Sequence, residues 1–576
     1  MLRYLTIISL VFANFQLLSA QDLKKKIAEG DKWFNIRDYK KALPIYLDVL
    51  KVNPNDPETN YATGVCYFET GEKLKSLPHF QIASKAAKAQ IPADVNLYFG
   101  KALHLNKEYD EATVVLNKYK TLEKNPVRID EANRFLLYCK NAKIYDKVTV
   151  EVFIQNIGSP INTANTEYGP VIKADESVLI YTSLKPVVAG KTQSFGNKGV
   201  YEELMTTQKD AVGAWGNPQT VNLNVPSLNG MRSNVGSVGL SPDGQKLLVY
   251  IGNGANTGEI YASRLQGDKW ESPVKLGSEV NLSNAEESSA SLSGDERIMY
   301  FASNRPGGLG GRDIYRVEKV NGVWGKPVNL GPTVNSKYDE EAPFIHPDGK
   351  TLYFSSNGPS SMGALDVFKV EIEPSGKVIG AIENMGFPIN TVYNDCYFVL
   401  SADGKKGYFA SDRPGGLGGL DLYFLGIPEE QGVVPLTLMK GRILAGDPPI
   451  AVPTKIKIID NETKEVIKDV YQPNAKTGNY LVVFQPSRSY DLVIEAQGYK
   501  PSLVNIYVPN QNYFYELYQE IILTAVTKDG KVVGQGIAVK NVFTDVEKDN
   551  KNAKKDNAEV YALMNNLTSA TDTSAM

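Results

Sequence analysis

Apolar positions change their rhythm twice along this chain. Over residues 22–145 small and aromatic residues recur as they do in paired amphipathic helices. Gly30, Trp33, Ala42, Tyr46 and Pro54 are followed by Gly64, Tyr67, Ser76, Phe80 and Ala83, and then by Gly100, Leu103, Ala112 and Leu116. The step from Gly30 to Gly64 is 34 residues, a repeat length at which helix pairs stack side by side, with small residues letting them approach closely. Arg128 to Tyr145 reads as a last helix that covers the apolar face of the final pair. From Val150 the pattern becomes short alternating strands broken by turns.

That second region holds a five-fold recurrence between Val150 and Tyr423. Each unit is a Pro-flanked strand, a turn around Asp, an aromatic strand, a Gly-rich loop, and Asp-hydrophobic-aromatic. Two copies are nearly identical: Tyr300-Phe-Ala-Ser-Asn-Arg-Pro-Gly-Gly-Leu-Gly-Gly-Arg-Asp-Ile-Tyr315 and Tyr408-Phe-Ala-Ser-Asp-Arg-Pro-Gly-Gly-Leu-Gly-Gly-Leu-Asp-Leu-Tyr423. The turns lie at Asp175, Asp243-Gly244, Asp295, Asp348-Gly349 and Asp403-Gly404, spaced by 68, 52, 53 and 55 residues. Asp-Gly between alternating strands is a hairpin signal, because Gly tolerates the positive φ of the tight turn. Third strands end at Tyr201, Tyr261, Tyr315, Phe368 and Tyr423, and Trp215, Trp270 and Trp324 mark outer strands after the first three. The last unit has no outer strand behind it, while Val148 to Ile154 supplies one ahead of the first. The prediction is a five-bladed β-propeller over residues 147–430, closed by its N-terminal strand so that no edge stays open. Six blades result if residues 184–215 hide a degenerate one.

A third rhythm follows. Lys440-Gly-Arg-Ile443, Lys455-Ile-Lys-Ile-Ile459, Thr477-Gly-Asn-Tyr480, Tyr490-Asp-Leu-Val-Ile494 and Gly498-Tyr499 read as a small β-sandwich over residues 434–525. Residues 526–576 read as a linker and a disordered tail, rich in Lys, Asn, Asp, Ser and Thr beyond Asp549. The fold class is therefore multidomain α plus all-β: a helical array over 22–146, then propeller and sandwich. At 576 residues, with 42% apolar and 22% charged residues, the chain is large enough for several cores.

Residues 1–20 read as a signal peptide. Arg3 gives the positive start, Leu5 to Leu18 the apolar stretch, and Ser19-Ala20 the cleavage site. Asn14 and Gln16 interrupt that stretch, no Cys stands near the cut for lipidation, and no second membrane-length apolar run follows. The expectation is an exported protein of the periplasm with no direct membrane span. A net charge of −3 leaves no polyanion footprint and argues against nucleic acid. Three cysteines, Cys66, Cys139 and Cys396, are too few for a disulfide scaffold and read as buried free thiols.

Candidate chemistry is sparse. A dinucleotide cradle needs a helix after its glycines, and here Asp-Ile-Tyr begins a strand. The loops read instead as tight connections in which Asp313, Asp366 and Asp421 bond local backbone amides. Of three histidines, His79 and His104 lie in the helical array, and His346 takes the place of a turn-preceding Ser. No nucleophile elbow, zinc spacing, cofactor motif or metal set is present. Loops entering the innermost strands carry Asn165-Thr-Glu167, Glu286-Glu287, Asp339-Glu340-Glu341 and Asn394-Asp395; loops joining second and third strands carry Arg305 and Arg413. Both loop sets emerge on one face of a four-stranded blade. Arg305, Arg413, Glu286, Glu287, Asp339, Glu340 and Glu341 thus form a candidate protein-binding face. The same residues also fit mutual pairing that ties loops together, or a bound cation.

These segments resemble known families. The helical period is similar to tetratricopeptide repeats, whose groove implies a peptide or protein partner. The propeller units, with Ser241-Pro-Asp-Gly244 and His346-Pro-Asp-Gly349, resemble the exported WD40-like repeats best known from the translocation protein TolB. The Gly-x-Tyr and Gly-Tyr pairs resemble the carboxypeptidase regulatory-like, transthyretin-like domain. The order of the segments resembles a multidomain, OmpA-family-like group of Bacteroidetes periplasmic proteins that includes a PorE-like component of type IX secretion. Asn541-Val-Phe-Thr-Asp-Val-Glu-Lys548 resembles the stretch that opens that group's OmpA-like, peptidoglycan-gripping module. No Asp and Arg pair at that module's spacing is found, so wall binding is not carried over. The resemblance implies a non-enzymatic periplasmic scaffold associated with the outer membrane, whose partners are outer-membrane or secretion-machine proteins. The alternative is a glycan- or peptidoglycan-binding module.

Overall fold

In the computed structural model the chain is described over residues 20–86, 91–187, 200–210, 213–223, 225, 234–252, 258–428, 436–510, 513–529 and 531–543. It divides into two units, one ending at Lys147 and the other beginning at Val148. The signal-peptide reading of residues 1–19 and the tail reading of residues 544–576 lie outside the described residues.

The first unit is helical among the described residues: α1 Ala20–Asn35, α2 Tyr39–Leu50, α3 Pro57–Glu69, α4 Leu77–Ala83, α5 Val95–Leu105, α6 Tyr109–Leu122 and α7 Pro126–Tyr145. Helix starts follow from local chemistry. The Asp56 carboxylate accepts the Thr59 N–H at 2.9 Å with Pro57 at the first turn, and Asn125 accepts Val127 N–H at 3.0 Å ahead of Pro126. One contact recurs from pair to pair. A Cβ on Gly30 would stand 2.6 Å from the Tyr46 ring, on Gly64 2.6 Å from the Phe80 ring, and on Gly100 2.6 Å from Leu116. Glycine at these sites is thus set by the closeness of the partner helix. Cys66 and Cys139 are buried free thiols, and burial pushes each thiol up to about 12.

The second unit contains five antiparallel sheets, blades 1 to 5, spanning Thr166–Thr220, Val235–Lys275, Glu287–Asn329, Glu340–Asn384 and Asp395–Gly426. Their innermost strands neighbour one another in cyclic order, and blade 5 returns to blade 1. Ile161, Leu179 and Tyr181 on the blade 1 side share a buried core with Cys396, Tyr408 and Leu422 of blade 5. The outer strand of blade 5 comes from the start of the unit: Phe153–Asn156 pairs antiparallel with Asp421–Gly426, Asn156 opposite Tyr423. Residues 200–208 of the stretch that could have hidden a sixth sheet form the third strand of blade 1. Each innermost strand has a bulge, between Tyr168 and Val171, Ser237 and Gly239, Glu287 and Ser289, Glu341 and Phe344, and Cys396 and Val399. The bulges turn backbone amides toward the next sheet. Ala342 N–H reaches Ser289 Oγ at 2.9 Å, and Tyr397 N–H reaches Ser355 Oγ at 3.2 Å.

Two more four-stranded sheets pack face to face on Ile443, Ile458, Leu492, Ile494, Ile521 and their neighbours. Here the structure departs from the sequence expectation. A strand at Lys531–Phe543 pairs along Tyr515–Lys528, so residues 526–528 and 531–543 belong to the sheet and not to a linker. The sandwich covers the side of the ring that bears the Asp turns. Gln245 Nε2 donates to Tyr471 Oη at 3.2 Å, Gln485 Nε2 donates to Asp348 O at 3.1 Å, and Ala174 and Ala402 share a small core with Leu438 and Leu481.

Replacing Gly64 with Leu should lower the stability of the helical unit by about 1–3 kcal/mol through overpacking against Phe80. Urea unfolding of the whole chain, followed by circular dichroism at the helix band, checks this; an unchanged helical transition would contradict the assigned pairing.

Candidate binding face of the five-sheet ring

Four of the five blades place a carboxylate near the start of the innermost strand, opposite a serine at or near the end of the second. The pairs are Glu167–Ser183, Glu287–Ser303, Glu340–Ser356 and Asp395–Ser411, joined by serine Oγ donors at 2.6–2.8 Å. All four carboxylate residues are fully buried. Each also accepts from its own entering loop, as Glu340 does from Ser336 N–H at 2.8 Å and Ser336 Oγ at 2.7 Å. Burying a charge is costly unless donors surround it, and these loops supply them. In blade 2 the same positions are Val235 opposite Ile251, an apolar version of the joint.

The arginines that the sequence assigns to the binding face belong to this joint. Arg305 donates to Glu287 Oε1 at 3.2 Å, Val280 O at 2.6 Å and Ser303 Oγ at 3.1 Å, with its guanidinium over Phe301 and Tyr315. Arg413 repeats the set on Asp395, Ile389 O and Ser411 Oγ, over Phe409 and Tyr423. Their side chains are only 10% and 13% exposed. Arg305, Arg413, Glu287 and Glu340 are therefore internal ties of the loops, because the aromatic pair and the carbonyls pull each guanidinium beneath its own loop.

The Gly-rich loops tie one blade to the next. Asp313 accepts Leu309 and Gly310 N–H, Asp366 accepts Met362 and Gly363, and Asp421 accepts Leu417 and Gly418, each within 3.1 Å. The loop then hydrogen-bonds to the neighbouring entering loop, Gly311 N–H to Tyr338 O at 2.8 Å and Gly419 N–H to Asn165 O at 2.7 Å. A Cβ on Gly418 would fall 1.7 Å from Asn165 O, so the close backbone approach excludes any side chain.

Glu286, Asp339 and Glu341 do come together, around a residue the sequence reading passed over. Arg312 reaches Glu286 at 2.6 Å, Glu341 at 2.7 Å and Asp339 at 4.0 Å. Three tyrosines extend the cluster: Tyr250 Oη donates to Glu286 at 3.3 Å, Tyr168 Oη donates to Glu202 at 2.7 Å, and Tyr168 and Tyr397 hold their rings 5.4 Å apart. Tyr168 and Tyr397 also sit at the bulges beside the central channel, where the innermost strands line a cavity of about 30 Å³. Burial raises the Glu341 carboxyl above its ordinary value although Arg312 opposes the shift; burial, with the Glu286 charge, raises Glu202. Among the described residues, Glu202 Oε2 is buried without a hydrogen-bond partner. The signal for Arg312 was present in the sequence: it is the one place where the two near-identical copies exchange a charge for an apolar residue, Arg312 against Leu420.

His346 is enclosed, with Nδ1 accepting Asp348 N–H at 3.2 Å and Nε2 3.0 Å from Ser401 O. Among the described residues no group of three or more His, Cys, Asp or Glu side chains converges as metal ligands, and no helix is long and apolar enough to cross a membrane.

No protein-family model and no curated protein matches the chain. Solved structures similar to it include a putative TolB from Agrobacterium tumefaciens, at 15% identity over 57% of this chain and 95% of that protein, TM-score 0.29. TolB from Acinetobacter baumannii is 17% identical over 46% of this chain and 55% of its own length, TM-score 0.29. A glycoside hydrolase is 11% identical over 50% and 95%, TM-score 0.35. At such scores the likeness is faint, and the functional reading rests on this chain's own geometry.

Replacing Arg413 with Leu leaves Asp395 buried without its cation and should cost about 3–5 kcal/mol, read as an earlier unfolding transition of the β-unit by intrinsic fluorescence; an unchanged transition would return Arg413 to the surface. Glu202→Gln tests burial at the channel mouth. Because the folded carboxyl is raised, wild-type Glu202 costs nothing below the unfolded value near about pH 4.3 and increasingly destabilises as pH rises through the folded value. The variant should therefore melt with the wild type at about pH 4 and above it at about pH 8, and the reverse order would refute the assignment.

Proposed function

We propose that the chain is a non-enzymatic scaffold of the bacterial periplasm, exported by the segment at residues 1–20 and bound to protein partners at the outer membrane. In this reading the first unit is a tetratricopeptide array, the ring is a five-bladed WD40-like propeller, and the third part is a carboxypeptidase regulatory-like sandwich. The partners are components of a secretion or surface machine, of which a type IX secretion machine is the nearest resemblance. The observation that carries the reading is the mixed cluster of Arg312, Glu286, Glu341, Asp339 and the three tyrosines, which lies on the side of the ring away from the sandwich. Tyrosine and arginine are the side chains that anchor protein interfaces, since each gives a large contact area with a polar end. The acidic groups suit a basic partner surface and would speed its approach.

A second reading has one observation of its own. Tyr168, Tyr250 and Tyr397 beside carboxylates could face a sugar ring, so a glycan or peptidoglycan fragment is the competing ligand. The aromatic, charged mouth separates the two readings by experiment.

A photo-crosslinking amino acid in place of Tyr250, in cells, should capture defined envelope proteins, and Glu286→Lys with Glu341→Lys should abolish capture. The same label in place of the exposed sandwich residue Tyr507 should capture none of them. Recovery of glycan strands and no protein would replace the scaffold reading by the glycan one.

A further inference from the structure

Blade 4 breaks the arginine pattern of its neighbours. Aligned on the serine that meets the buried carboxylate, Ser303-Asn304-Arg305 of blade 3 and Ser411-Asp412-Arg413 of blade 5 correspond to Ser356-Asn357-Gly358. The backbone is the same at all three, since Gly358 N–H donates to Ser356 Oγ at 2.9 Å as Arg305 and Arg413 N–H donate to their serines at 3.2 Å. The receptors for the missing side chain are also kept. Glu340 stands where Glu287 and Asp395 stand, buried and held by Ser356 and Ser336. Phe354 and Phe368 stack with centroids 5.6 Å apart and an interplanar angle of 21°, matching Phe301–Tyr315 at 5.9 Å and 27° and Phe409–Tyr423 at 5.8 Å and 27°.

The carbonyls complete the correspondence. Arg305 ties Glu279 O and Val280 O, and Arg413 ties Pro388 O and Ile389 O. In blade 1 the matching Ile161 O is met by Tyr181 Oη at 3.4 Å. In blade 4 the matching atoms are Thr333 O and Val334 O, and among the described residues no donor of the chain is bonded to either. In place of a guanidinium there is a cavity of about 460 Å³, floored by Glu340, Ser356, Gly358, Val334 and Phe368. Its rim is open at Thr333, Pro359 and Ser360, all exposed.

We propose that this socket binds an arginine side chain presented by a partner protein. The ligand chemistry is written twice in the same molecule: a planar cation that stacks on two aromatic rings, donates to a buried carboxylate and satisfies two adjacent carbonyls. Arginine matches that fork of acceptors and lysine does not, because an ammonium has no planar face to lay on the rings and its three donors radiate from a single nitrogen instead of spanning a fork. The inference extends the protein-binding reading by naming one side chain that a partner offers. It concerns a different site from the channel mouth, so either can fail alone.

The test uses the full chain and two small probes, Nα-acetyl-arginine methylamide and its citrulline counterpart, which is isosteric and uncharged. Ligand-observed NMR should show saturable millimolar binding of the arginine probe and none of the citrulline one. Gly358→Arg, which supplies the side chain in cis as blades 3 and 5 do, should abolish binding and raise the melting temperature. The nearest atoms to a Cβ there are the hydroxyls of Ser356 at 2.9 Å and Ser336 at 3.1 Å, and blade 5 accommodates Arg413 beside the corresponding Ser411 and Thr391. Glu340→Gln should weaken binding at least tenfold. Equal binding of the two probes, no binding of either, or undiminished binding by Gly358→Arg would each overturn the proposal.

Discussion

The β-unit depends on a carboxylate that cannot reach water. In four blades a Glu or Asp with no exposed surface joins the first strand to the end of the second through a serine hydroxyl. A charge in that position is tolerable only if the loop before it folds back to donate, so the carboxylate dictates the entering loop as much as the strand. The entering loop in turn receives the Gly-rich loop of the preceding blade, whose own shape is set by Asp313, Asp366 or Asp421. In blades 1, 4 and 5 one buried group thus fixes two loops and the seam between neighbouring sheets. Val235 opposite Ile251 shows the apolar solution to the same joint, consistent with the near equivalence of a buried polar pair and a well-packed hydrophobic one.

Much of this was legible in the sequence where the signal is periodic. The Asp turns, the aromatic strands and the displaced first strand describe strand order, because each is a local pattern repeated at near-constant spacing. The fate of individual charges was not legible. Arg305 and Arg413 sit in Arg-Pro-Gly-Gly loops, which read as solvent-facing, yet each folds back onto carbonyls about 25 residues earlier in the chain. Glu286 and Glu287 are neighbours in sequence, but strand alternation sends one to Arg312 and buries the other. The strand at Lys531–Phe543 escaped notice since its Gly534 and Gly536 weaken a strand pattern. Its stability comes from a partner, including Gln519 Nε2 donating to Asn541 at 3.0 Å, and not from its own propensity.

The two sides of the ring have different fates for related reasons. The Asp turns are short and each is closed by its own aspartate, and the sandwich covers them through Tyr471, Gln485 and the small core on Leu438 and Leu481. The loops on the other side are longer and tied from beneath by latches and arginines, which leaves their outward-facing residues free to differ without loss of the seam. Arg312 is the example: Leu420 holds the same place in blade 5 with the loop unchanged, so the charge at Arg312 is not needed for the architecture.

That contrast bears on where function can reside in a repeated fold. Positions whose chemistry recurs from blade to blade, as the carboxylate and serine do in four of the five, serve the joint, and their loss would be felt as instability wherever it occurs. Positions that differ between otherwise superimposable blades are released from that duty. Arg312 against Leu420 adds a charge at the channel mouth, and Gly358 against Arg305 and Arg413 removes one from a socket whose other walls are intact. A buried carboxylate can stand in this joint without an arginine, as Glu167 does in blade 1 on Thr163 and Ser183, and Glu340 has its own hydroxyl and amide donors. What sets blade 4 apart is that the stacked rings, the two carbonyls unbonded among the described residues and an open cavity are kept together around that carboxylate, which makes physical sense if the cation is brought by something else.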